Sequence, residues 1–143
     1  MVMVHNEIQE LVLAFRAAIL SIPSSQRPLG LSKFPSGACG DTSLLLGAYL
    51  NDLGEPGYSY AVGCRGSHAS DTQQTHAWLQ RQNLVIDLTC DQFNDAPSGF
   101  VFQNSSWHQQ FREIEFFDAD FRNWHGDSLY ELGRFYSKIR SKL

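Results

Sequence analysis

THAWLQRQNLVIDLT, residues 75–89, holds two apolar–polar alternations separated by Gln82-Asn83. Alternation of period two marks a half-buried strand, and a polar two-residue break between two such runs marks a hairpin. The spacing predicts strands over 75–81 and 84–89. Arg81 then pairs with Leu84, and residues whose numbers sum to about 165 face each other. In that register Asp87 falls opposite Trp78, two positions from His76 and on the same face. A buried Asp in an apolar strand is costly unless paired, and a strand His needs a polar partner on one ring nitrogen to act as a base. The two residues suit each other. Satisfaction by turn amides at the strand end is the alternative for Asp87.

Upstream, PSGACGDTSLLLGAYL (35–50) leads into a segment, 42–53, with Leu44, Leu45, Leu46, Ala48, Tyr49, Leu50 and Leu53. This is a helix apolar nearly all round, hence central and buried, and Gly54 and Pro56 end it. Cys39 stands at or just before its first turn, between Gly37 and Gly40, which let the chain turn sharply and a substrate approach. A helix start stabilises a thiolate, and its outward N–H is a ready oxyanion donor. Alone, such a cysteine reads as a packing residue. With His76 and Asp87 beside it, the chain order thiol, His, Asp supplies nucleophile, base and orienter of the base.

The remaining pattern completes an α+β domain spanning 1–143: a central buried helix on an antiparallel sheet, with flanking N- and C-terminal helices. Ile8, Leu11, Val12, Phe15, Ile19 and Ile22 predict a helix over 4–20. SIPSSQRPLGLSKFPSG is a long connection, extended or looped. Residues 58–64 alternate as a strand, 65–73 form a polar loop, and 99–102 and 112–117 are further short strands. Leu129, Leu132, Phe135, Tyr136 and Ile139 predict a helix over 128–139.

A formal charge of −4 offers no basic footprint, which argues against nucleic acid. Glu10 and Arg16 interrupt the N-terminal apolar stretch, so neither a signal peptide nor a membrane span is expected. Three cysteines without a CxxC pair argue for a reducing compartment such as the cytoplasm.

GACGDTSLLLGAYLNDLG and THAWLQRQNLVIDLT resemble the papain-like cysteine enzymes, more narrowly their transglutaminase-like branch. There a Cys opens a long buried helix, and a pair of strands reads HAW(V/L)E and (V/I)D(P/L)T. Within it, the small bacterial leader-peptide-cleaving proteases of lasso-peptide maturation share a short His-to-Asp interval. The resemblance covers 36–90. It implies Cys39 as nucleophile, His76 as general base and Asp87 as orienter. Gln80 stands where Glu is common, Leu88 where Pro often follows the Asp, and Lys33 where papain-like enzymes carry an oxyanion Gln. Ser36, Gly37, Gly40 and Trp78 are the weaker candidates for the substrate and oxyanion side.

Two readings follow. One is an enzyme acting on an amide or related acyl bond of a peptide or protein, through an acyl-enzyme passed to water in a protease or deamidase, or to an amine in a transglutaminase or acyltransferase, with protein glutamine the substrate in the transglutaminase or deamidase alternative. It needs no cofactor, and a partner protein could deliver its substrate. The other is a non-catalytic binding module of the same fold, favoured by Lys33 and by Asp41, whose charge beside Cys39 opposes a thiolate. Asp41 is also a candidate helix cap. Cys64 and Cys90 read as packing residues. A zinc site from Cys39, His68, His76 and Cys90 lacks the short ligand spacings of structural sites. His68 is placed in a polar loop, His108 and His125 at the surface or in caps, and Asp118, Asp120 and Asp127 in a solvated acidic stretch.

Overall fold

The computed structural model describes residues 3–67 and 69–143. The chain is α+β, with a five-stranded antiparallel sheet and four α-helices among the described residues. The helices are α1 (His5–Ser21), α2 (Cys39–Asp52), α3 (Ser106–Gln109) and α4 (Ser128–Ser141). The strands are β1 (Ser59–Arg65), β2 (Gln74–Arg81), β3 (Leu84–Ile86), β4 (Val101–Gln103) and β5 (Arg112–Asp118), in the spatial order β4-β3-β2-β1-β5. No helix among the described residues is long and apolar enough to cross a membrane.

The sheet separates two apolar clusters because strand side chains alternate between its faces. Leu79 and Ile86, paired across β2 and β3, join the larger core, to which α1 adds Val12 and Phe15, α2 Leu45, and α4 Phe135 and Ile139. Trp78, Val85 and Ala61 point the other way and meet Phe111, with Trp107 and Ile114 packed against them. Ala61 faces Trp78 directly, so a small residue makes room for the largest.

Helix ends follow local chemistry. Ile22, after α1, is extended because Pro23 follows it. The long connection holds two short 3-10 turns, Ser24–Gln26 and Leu29–Leu31, rather than running extended. It is pinned by buried Leu31 and Phe34. At the end of α2, Gly54 takes φ +76° and its N–H donates to Asn51 O, while Glu55 N–H donates to Leu50 O. This is a Schellman closure, which needs a residue free to enter the left-handed region.

β3 ends at Ile86, three residues before the expected Thr89. Asp87 N–H still donates to Phe100 O at 2.8 Å, but its Oδ1 accepts the Thr89 N–H at 3.1 Å, a side-chain turn that ends the strand there. The acidic stretch is not uniformly solvated either. Asp120 is 5% exposed and is held by Arg122 and Asn51.

Candidate active site

Cys39 is the first residue of α2, three positions earlier than the apolar pattern suggests. Ala38 is the N-cap and provides no side-chain bond. The first N–H groups of a helix lack intrahelical partners, so those of Cys39 and its neighbours face outward with the positive end of the helix dipole. Gly37, at φ +68°, makes the turn into the helix and is exposed, as is Ser36.

Asp41 lies in the first turn and does not cap the helix. It packs so closely over Gly30 that a Cβ there would overlap its carboxylate. Burial raises its pKa, which weakens the charge expected to oppose a thiolate. Lys33 is exposed.

His76 enters from the start of β2, its side chain wholly buried. Its Nε2–H donates to Asp87 Oδ2 at 2.7 Å. That ties down Nε2 and leaves Nδ1, buried and without a hydrogen bond of regular geometry, as the nitrogen that exchanges its proton. The Cys39 thiol is near enough to interact with this ring. Burial pulls the His76 pKa down, but hydrogen bonding from Asp87 and Cys39, and their charges, hold it up at about 9. Phe93, Trp107, Phe111 and Trp78 box the ring at centroid distances of 4.9, 6.0, 6.0 and 5.9 Å. Trp78 is fully buried and its indole N–H donates to Gln80 Oε1 at 3.0 Å, so it is a wall of this box, not a substrate contact.

Sequence reasoning placed His108 in a cap or at the surface. It is 2% exposed, and its Nε2–H donates to the same Asp87 Oδ2 at 2.7 Å. Its Nδ1 lies 2.6 Å from Ser105 Oγ, the cap of α3. His125 is exposed.

Tyr60 was also missed. Its hydroxyl lies 3.1 Å from where a Cβ of Gly40 would stand, so Gly40 leaves the space the phenol fills. Burial, then the charges of Cys39 and Asp41, push its pKa to about 12, so it remains an O–H donor.

His76, Asp87 and His108 place three potential ligand atoms within 4.8 Å of one another. The donor set does not fit a metal. Both nitrogens are at 2.7 Å from one oxygen, whereas two ligands on a tetrahedral ion sit roughly 3.3 Å apart. Of the zinc alternative, His68 lies outside the described residues. The Cys90 thiol donates to Gly99 O at 3.3 Å, and burial pushes its pKa to about 12.

Two larger concavities do not include Cys39 in their lining. One of about 780 Å³ is lined by Met3, Glu55, Arg81 and Asn83, and one of about 1030 Å³ by Asp95, Phe102, Ser105 and Trp107. No protein family, curated protein or solved structure matches this chain.

Proposed function

We propose that the protein is a cysteine-dependent hydrolase or acyl transferase of the papain-like, transglutaminase-like kind, acting on amide bonds of a peptide or protein. The observation that carries this reading is the ordering of one imidazole. Asp87 holds His76 Nε2–H, and the remaining nitrogen is buried, without a hydrogen bond of regular geometry, on a ring that interacts with the Cys39 thiol.

The chemistry runs in balance. The Cys39 S–H proton passes to His76 Nδ1, giving thiolate and imidazolium, and Asp87 stabilises the latter. The thiolate attacks the acyl carbon. The oxyanion faces the Cys39 N–H and the Tyr60 hydroxyl, which takes the place of the Gln that Lys33 replaces. His76 returns its proton to the leaving amine, and the acyl group on sulfur then passes to water or to an acceptor amine. Cys39 is half-buried beside exposed Ser36 and Gly37 and outside the larger concavities, which favours an extended chain segment over an enclosed small molecule.

Brief treatment with iodoacetamide at pH 6, followed by mass spectrometry, tests the reading. Cys39 is expected to be alkylated ahead of Cys64 and Cys90, and that preference to disappear in His76→Ala. Equal labelling of the three thiols, or selectivity that survives in His76→Ala, rules it out.

A further inference from the structure

We propose that His108 is a positioning residue that fixes the orientation and charge of Asp87, making Asp87 the shared anchor of two imidazoles. The inference rests on the reading of Cys39, His76 and Asp87 as a reactive set and adds a fourth and a fifth member, His108 and Ser105.

The proton positions follow from the contacts. An ionised carboxylate only accepts, so each imidazole 2.7 Å from Oδ2 presents an Nε2–H to it. In the neutral ring His108 Nδ1 then carries the lone pair, and Ser105 Oγ, 2.6 Å away, donates its proton there. The same Oγ accepts the His108 backbone N–H at 3.3 Å. On the other side, Asp87 Oδ1 accepts from Thr89 N–H at 3.1 Å and from Thr89 Oγ at 3.5 Å. Both oxygens are held, so the carboxylate cannot rotate away from His76.

Two consequences reach Cys39. A carboxylate that receives several donors is a weaker base, so the shared proton stays on His76 Nε2 rather than moving to Asp87. With Nε2 keeping its proton throughout, the proton that His76 gains and loses is the one on Nδ1, facing the thiol. His108 thus acts through Asp87 and His76 without touching a substrate.

Other charged and titratable groups around the set are the Cys39 thiol on α2, the Cys90 thiol beyond Asp87, and the Arg65–Asp95 ion pair behind Trp107. His108 also packs edge-on against Trp78 and Trp107, at 4.9 and 4.8 Å. A purely packing role would be served by an apolar side chain of similar volume, and that is the contrast to test.

Imidazole ¹⁵N NMR on the full chain, titrated with pH, reads the proton positions directly. Wild type is expected to show His108 as the Nε2–H tautomer. In His108→Leu, Asp87 loses a donor and becomes more basic, so the His76 pKa is expected to rise by about one unit. In His108→Gln, whose Nε2 can replace the lost donor, it is expected to stay within about 0.3 unit of wild type. An Nδ1–H tautomer at His108, an unmoved or lowered His76 pKa in His108→Leu, or equal displacement in both variants overturns the proposal. The wild-type tautomer decides even where a variant does not fold. Alkylation of wild-type Cys39 is a separate readout, so failure of the enzyme reading is seen independently of the His108 tautomer.

Discussion

Asp87 Oδ2 lies 2.7 Å from His76 Nε2, with the two side chains 1% and 0% exposed. A carboxylate so enclosed is favourable only because donors fill its lone pairs. Burial pushes its pKa up, and the hydrogen bonds from His108 and His76 reverse that and bring it below the ordinary carboxylate value. Asp87→Asn replaces one accepting oxygen with an N–H₂ facing two N–H donors. The expected loss is about 3 kcal/mol, as when one partner of a buried pair is removed. Urea denaturation measures it, and near-native stability would contradict the described contacts. Cys39 alkylation should slow in the same variant, because His76 is free to take the other tautomer.

His76 gives the pH dependence a definite sign. Its folded pKa of about 9 lies above the ordinary 6.5. Its contribution to stability is therefore fully present below about pH 6.5 and fades as pH rises through about 9. Cys39 supports this elevation, so Cys39→Ala should lower the His76 pKa toward its ordinary value. Imidazole NMR titration of the two proteins decides it. An unchanged His76 pKa would mean the thiol and the ring do not interact.

Much of this site was legible before the structure because strands and hairpins obey a local rule. Arg81 pairs with Leu84, Gln80 with Val85 and Leu79 with Ile86, the register that the two-residue turn dictates. That register alone puts Asp87 diagonal to His76. His108 was not legible in the same way. It reaches Asp87 from 21 residues further along, on a one-turn helix too short to show periodicity. The local signal was Ser105, a cap residue three positions before it. Tyr60 was hidden for another reason: its alternation on β1 is legible, but its approach to Gly40 depends on how α2 lies across the sheet.

Tyr60→Phe separates two kinds of reactivity at Cys39. Alkylation by iodoacetamide passes through no oxyanion, whereas acylation by p-nitrophenyl acetate does. The variant should keep its alkylation rate and lose acylation by about tenfold to a hundredfold, in the range of a lost oxyanion donor. Burst-phase release of p-nitrophenol measures the second rate. An undiminished burst removes Tyr60 from the mechanism.

Arg65 closes the aromatic box around His76. Its guanidinium lies 5.1, 4.8 and 5.2 Å from the ring centroids of Phe93, Trp107 and Phe111, and pairs with Asp95. Asp95 is 58% exposed, so solvent screens the ion pair, while the stacked guanidinium is 13% exposed. Arg65→Ala should therefore cost about 2 kcal/mol and Asp95→Ala under about 1 kcal/mol. Equal losses in chemical denaturation would assign the stabilisation to the pair and not to stacking.

Two helical glycines should respond to alanine with opposite signs. On α2, a Cβ at Gly47 would overlap the Ala119 carbonyl oxygen and stand 2.7 Å from the carbonyl carbon. Backbone cannot yield as a flexible side chain would, so α2 must shift away from the segment after β5. Cys39 begins that helix and would move with it. Overpacking of this kind costs about 1–3 kcal/mol. On α4, a Cβ at Gly133 meets nothing within 4 Å, so alanine adds helix propensity without a clash, a gain of about 1 kcal/mol. Thermal melts should place Gly47→Ala below wild type and Gly133→Ala above it. Cys39 alkylation should slow in Gly47→Ala and stay unchanged in Gly133→Ala. A Gly47→Ala protein with a native melting temperature and native alkylation would show that α2 does not rest against Ala119, and with it that the helix does not hold Cys39 where His76 requires it.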